Sequence, residues 1–167
     1  MDRALRAATP DGLRVTILRP GMIYGPGSAA REWTLVKLIK EGTRELRLPL
    51  GGGQFFSRVA LERVGRAVVA AAERAPEGTW VANVVDPYGW TYAGLAAEIA
   101  ELLGWRWEPA WVDWHEASHL FKAQAPFVCS DTRLRDVLGV TGPDPRAALA
   151  EAVRWLWDHG QQAYPDA

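Results

Sequence analysis

Val15-Thr16-Ile17-Leu18-Arg19-Pro20-Gly21-Met22-Ile23-Tyr24-Gly25-Pro26-Gly27 is the stretch on which the fold turns. From Leu13 to Leu18 apolar and polar residues alternate and β-branched side chains are frequent, the pattern of a strand. Two prolines and three glycines follow between Pro20 and Gly27, which forbids regular structure and forces a defined loop. Ser28 then caps a helix over 29–41, with Trp33, Val36 and Ile39 or Lys40 on one side and Gly42 as its stop. Upstream, residues 2–8 read as the end of a helix closed by the turn Pro10-Asp11-Gly12.

Further along, Leu46 to Leu50 reads as a short edge strand, Gly51-Gly52-Gly53 as a hairpin turn, and Gln54 to Ala60 as a second extended piece. Leu61, Val64, Val68, Ala71 and Ala72 follow helical spacing over 61–74. Trp80 to Val85 is the next strand. Thr91 caps a helix carrying Leu95, Ala96, Ile99, Leu102 and Leu103. A Trp-rich segment over 105–114 precedes an expected helix bearing His115 and His119. Ser130 or Asp131 caps a short helix with Leu134, Val137 and Leu138, and Asp144-Pro145 opens a last helix with Ala148, Leu149, Ala152, Val153 and Leu156 facing inward. Strands alternating with helices imply an α/β fold with parallel strands.

Composition excludes several classes. A chain of 167 residues, 49% hydrophobic and 23% charged, has material for a core and is not disordered. Its net charge of −1 argues against nucleic acid or an anionic membrane as partner. The single cysteine, Cys129, rules out an internal disulfide and fits a reducing compartment. No apolar run approaches a membrane span and the N-terminus has no signal-peptide core, so the expected location is cytoplasmic.

In their order, these pieces resemble the second half of an extended short-chain dehydrogenase/reductase, the NAD-dependent epimerase/dehydratase family. The strand ending in Arg19-Pro20 and the loop Tyr24-Gly25-Pro26-Gly27 carry the resemblance most strongly. Leu48 to Gly53, Val59 to Ala67, Ala82 to Pro87 and Asp131-Thr132-Arg133-Leu134-Arg135-Asp136-Val137-Leu138-Gly139 follow in the family's order. The resemblance implies the C-terminal part of a Rossmann-like parallel sheet plus the smaller substrate-binding subdomain, residues 1–167 forming one partial domain without the N-terminal dinucleotide-binding half. It implies NAD or NADP as cofactor, with Pro20, Gly21, Met22 and Ile23 on the nicotinamide side. It also implies a small-molecule substrate, faced by Tyr24 and Arg58. Backbone at the carboxyl end of a parallel strand is where open α/β sheets place ligands, and glycine lets a flat ring approach closely.

Two family motifs are missing. No G-x-G-x-x-G occurs, and the residues four beyond Tyr24, Tyr88 and Tyr92 are Ser28, Tyr92 and Ala96, so no Tyr-x-x-x-Lys exists there to exchange a proton. The resemblance places Met1 just past that pair, through a misassigned start, a truncation or a separate chain. The expectation is a substrate-side portion that is catalytically incomplete and does not hold the cofactor tightly alone. It would exist as a homo-oligomer or with a complementing N-terminal half. Sugar-nucleotide members often carry an Arg before the hairpin strand and Val-Asp-Asp after it; here stand Phe55-Phe56-Ser57-Arg58 and Leu61-Glu62-Arg63. That departure argues against a nucleotide sugar, while Arg58 remains available for an anionic substrate group.

Two other readings stay open. One is a non-catalytic binding or interaction module. The other is a zinc hydrolase, since His115-Glu116-Ala117-Ser118-His119 matches H-E-x-x-H, which on a helix presents two imidazoles to a metal and a glutamate to water. Trp105, Trp107, Trp111 and Trp114 read as an interface, and Cys129 as a buried hydrophobe.

Overall fold

The structure is a computed structural model and describes residues 14–28, 30–116 and 126–165. Strand β1 (Val15–Pro20) lies parallel to β5 (Thr79–Val84), with Val15 opposite Thr79 and Pro20 opposite Val84. Pro20 is tolerated because it ends its strand, where a missing N–H costs little. Strand β2 (Met22–Tyr24) follows after one residue and runs parallel to β4 (Arg58–Ala60). A third parallel pair joins β3 (Glu45–Pro49) to β6 (Glu108–Val112). The α/β architecture with parallel strands, a partial Rossmann-like domain, is therefore as the sequence implies.

The helices are α1 (Ala30–Lys40), α2 (Leu61–Arg74), α3 (Tyr92–Leu102), α4 (Thr132–Leu138) and α5 (Pro145–Ala163). Their ends obey local chemistry. The Thr91 hydroxyl accepts from the Gly94 N–H at 3.1 Å, and the Asp144 carboxylate accepts from the Ala147 N–H at 3.0 Å with Pro145 opening α5. Gly139, at φ 64°, closes α4 in the left-handed conformation.

Two cores result. One packs Trp33, Leu48, Leu95, Ile99, Leu149 and Leu156 between α1, α3, α5 and β3. The other packs Ala67, Trp80, Val84, Leu134 and Leu138 between α2, α4 and the β1–β5 pair. The β2–β4 pair straddles them: Tyr24 and Ala60 belong to the first core, Val59 and Ile23 to the second.

Four local expectations are corrected. The Pro-Gly loop contains β2, because neither proline falls within Met22–Tyr24 and β4 offers a partner. Gly51-Gly52-Gly53 is no hairpin turn, since β3 and β4 pair with β6 and β2 and not with each other. The Trp-rich segment contains strand β6, whose alternation is hidden because Pro109, Ala110, Trp111 and Val112 are apolar without a break. Cys129 is half-buried between exposed residues, its N–H donating to the Ser57 hydroxyl at 2.8 Å.

Among the described residues β1 is paired on one edge only. Beside that edge a groove of about 460 Å³ runs between β1 and α2, bordered by Arg14, Thr16, Leu18, Val68 and Ala72. The stripe Leu61, Gly65, Val68 and Ala72 along α2 is exposed and apolar. No helix among the described residues is long and apolar enough to cross a membrane.

Candidate functional site

At the carboxyl end of β1 the chain leaves the sheet and a cleft of about 560 Å³ opens, bordered by Gly21, Met22, Ile23, Ser28, Arg31, Glu32 and Arg58. The turn is held tightly. The Gly21 N–H donates to the Val84 carbonyl at 3.0 Å and the Met22 N–H to the Ser57 carbonyl at 2.9 Å. A Cβ on Gly21 would stand 2.5 Å from that Ser57 oxygen, so only glycine permits this approach of two backbones. Pro20 lies just before, exposed at the end of β1.

Of the residues the resemblance assigns, Gly21, Met22, Ile23 and Arg58 thus meet at one cleft. Tyr24 does not face it. The side chain is fully buried, its hydroxyl donating to Asp86 Oδ2 at 2.7 Å and to the Pro145 carbonyl at 3.2 Å. The physical reason is strand alternation: Tyr24 points from β2 into the first core and acts as a floor for the residues above it. The Arg58 guanidinium lies 5.1 Å from the centroid of the Tyr24 ring, within cation–π range.

Arg58 is 6% exposed and forms an ion pair with Glu32, 1% exposed, on the first turn of α1. Burial draws the Arg58 guanidinium down to about 10. Asp86 collects the Tyr24 hydroxyl and the Ala60 N–H, the latter at 3.1 Å, and burial raises its carboxyl above the usual range. Arg63 stands 4.0 Å from Asp86 and donates to the Val85 carbonyl, to Asp131 at 2.7 Å and to the Val140 carbonyl at 3.3 Å. Sequence reading missed Glu32, Asp86 and Arg63. An acid at the end of the apolar strand Trp80 to Val85 was the available signal for Asp86; Arg63 stood only as a departure from a family pattern.

Burial, reinforced by Asp86, pushes the Tyr24 phenol upward, and burial does the same to Tyr92. A phenol raised in the folded state contributes stability fully present below its unfolded pKa of about 10 and lost as pH rises above it. In a titration of tyrosinate absorbance, Tyr24 is therefore expected to ionise only as the protein unfolds. Tyr24→Phe should leave the early part of the curve unchanged and remove amplitude from the late phase; loss from the early part would contradict the assignment.

The H-E-x-x-H segment lies partly outside the described residues, which do not include His119. His115 and Glu116 stand on the 3₁₀ turn Trp114–Glu116, the rest of the expected helix lying outside the described residues, and Glu116 Oε2 accepts from Arg47 Nη2 at 2.9 Å. Among the described residues no group of three His, Cys, Asp or Glu side chains converges. Trp105 and Trp107 meet edge to face at 6.3 Å and pack on the first core, Trp107 Nε1 donating to the Ala96 carbonyl, whereas Trp111 is 65% exposed.

No protein-family model matches the chain, and no curated protein matches it. Solved structures do. The chain is similar to MoeE5 in complex with UDP-glucuronic acid and NAD, with TM-score 0.69 and 22% identity over 92% of this chain and 52% of that one. It is similar to the dTDP-glucose 4,6-dehydratase DesIV from Streptomyces venezuelae with NAD and TYD bound, with TM-score 0.74 and 19% identity over 95% and 48% of the two chains. A UDP-glucuronic acid 4-epimerase from Bacillus cereus, in complex with UDP-glucuronic acid and NAD, gives TM-score 0.66 and 18% identity over 89% and 46%. At such identities the likeness establishes the fold, and the chain spans about half the length of these structures.

Proposed function

We propose that this chain is the substrate-side portion of an NAD(P)-dependent epimerase, dehydratase or reductase. The observation that carries the reading is the Gly21–Ile23 backbone at the carboxyl end of β1, opening onto a cleft in a fold shared with NAD-complexed epimerases and dehydratases. Half-buried backbone beside an open cleft suits the flat nicotinamide end of the cofactor. When bound, that ring supplies hydride exchange with a substrate carbon. The residues of this chain then have separable roles. Gly21, Met22 and Ile23 orient the carboxamide edge through backbone groups, and Pro20 fixes the exit from β1. Arg58 faces the substrate, and Tyr24 is a positioning residue that supports Arg58 and is held by Asp86.

The dinucleotide's remaining parts find no G-x-G-x-x-G pattern in this sequence. The edge of β1 that is unpaired among the described residues and the apolar stripe Leu61, Gly65, Val68 and Ala72 suit a further strand and helix of the same sheet. We therefore assign the complementing dinucleotide-binding half to that face, as part of the same proposal.

The test is NADH titration followed by energy transfer from tryptophan. The chain alone is expected to show no saturable response, and the chain fused behind a dinucleotide-binding half of the same fold is expected to show one. In the fused protein Gly21→Val, with folding checked by circular dichroism, should weaken NADH binding at least about tenfold, roughly 1.4 kcal/mol. Unchanged binding in a folded Gly21→Val protein would overturn the nicotinamide-side assignment.

A further inference from the structure

Besides the Gly21–Ile23 edge and the first turn of α1, the cleft is bordered by Tyr164, the residue that follows α5. Tyr164 is held in place through its backbone. Its N–H donates to the Gly160 carbonyl at 2.8 Å where the helix ends, and its carbonyl accepts from Trp33 Nε1 at 3.2 Å. Trp33 is buried in α1 and lies directly against Gly160, so α5 and α1 touch there and Tyr164 is tied to the helix that carries Arg31 and Glu32. Both backbone groups of Tyr164 are thus spent on protein partners. What the residue offers to the cleft is its half-buried side chain, which packs on the first core and borders the open space. The rest of the lining is mixed in character. Met22 and Ile23 are apolar, Ser28 and Arg31 are polar, and Arg58 and Glu32 neutralise each other as an ion pair. Such a lining suits a ligand that is itself mixed, a ring with C–H faces and hydroxyl groups at its rim.

We propose that Tyr164 is a substrate contact and sets specificity: its ring stacks on the C–H face of a saturated, hydroxylated ring seated in the cleft. The claim deepens the function proposed above and rests on it. A substrate that exchanges hydride with a nicotinamide must present a carbon bearing oxygen, and a hydroxylated ring has several. A tyrosine grips such a ring with a large flat face while only two torsions are immobilised, so the contact costs little conformational entropy. An open-chain polyol carries the same hydroxyl groups but has no face to stack, and the cleft should reject it.

The experiment uses the 167-residue chain as it stands. Ring resonances of its four tyrosines, with Tyr164 assigned by Tyr164→Phe, are followed while methyl β-D-glucopyranoside, sorbitol or nicotinamide mononucleotide is added. A saturable shift of the Tyr164 ring with the glucoside, with Kd on the order of 10 mM, and none with sorbitol, is expected. In variants the affinity is read from the Met22 and Ile23 N–H signals. Tyr164→Ala keeps both backbone anchors, so the variant should fold as the parent does, yet bind the glucoside about fivefold more weakly. Tyr164→Leu, apolar but without a flat face, should also bind weakly, whereas Tyr164→Phe should stay within about twofold of the parent. Equal shifts with glucoside and sorbitol, a shift produced by nicotinamide mononucleotide alone, or parental affinity in a folded Tyr164→Ala protein overturns the proposal. Failure here with NADH binding intact in the fused protein leaves the functional reading standing; the converse leaves a ring-binding cleft without that reading.

Discussion

Arg63→Ala should destabilise the protein by about 3–5 kcal/mol, because it breaks a buried charge cluster by removing one member. The side chain is 2% exposed and ties three segments together beneath the apolar core they share. From α2 it reaches the Val85 carbonyl at the exit of β5, Asp131 at the start of α4 and the Val140 carbonyl beyond it. Its loss leaves Asp131 with only the exposed Arg135 at 3.5 Å and strips two buried carbonyls of a donor. A cavity the size of a guanidinium stem is added to that cost. Arg63→Lys should recover less than half of the loss, since a point ammonium on a shorter stem cannot serve three acceptors arranged around a fork. Urea denaturation followed by tryptophan emission measures both, and the Ala variant should melt roughly 6–20 °C lower. A loss below about 1 kcal/mol would mean that the cluster is solvated and does not hold α4 to the sheet.

The cluster also shows what could and could not be read from residues in order. Strands Val15–Pro20 and Thr79–Val84 and the helices capped by Thr91 and Asp144 were legible because period, cap and stop residues all agreed locally. Strand β6 was not, because the unbroken apolar run Pro109 to Val112 hides the alternation on which a strand is recognised. At the cleft, Gly21, Met22, Ile23 and Arg58 were named in advance from a resemblance. Glu32 and Arg63 were not, since each is an ordinary charged residue on a helix until its partner arrives from a distant segment. Tyr24 illustrates the opposite failure. Its place in a loop motif suggested a ligand, but strand alternation turned it into the core, where Asp86 and Pro145 take its hydroxyl. Pairings across more than sixty residues are decided by tertiary packing and leave no local trace.

Gly160→Ala should lower stability by about 2–3 kcal/mol, against the gain of up to about 1 kcal/mol that alanine normally brings to a helix interior. A Cβ at this position of α5 would lie 2.2 Å, 2.4 Å and 2.8 Å from three atoms of the Trp33 indole, distances no rotamer adjustment of a methyl group relieves. Trp33 itself is 1% exposed and bonded through Nε1 to the Tyr164 carbonyl at 3.2 Å, so the ring has no free volume into which to retreat. The helix must move instead, and α1 carries Arg31 and Glu32 with it. The variant should therefore fold less stably and shift the Trp33 emission, which urea denaturation followed by tryptophan fluorescence reads together. Gly65→Ala is the control for propensity. On α2 a Cβ at Gly65 meets no atom within 4 Å, and the change should stabilise the chain by about 0.5–1 kcal/mol. If Gly160→Ala instead stabilised the protein as Gly65→Ala does, α1 and α5 would not be in the contact described, and the wall of the cleft would have to be placed elsewhere.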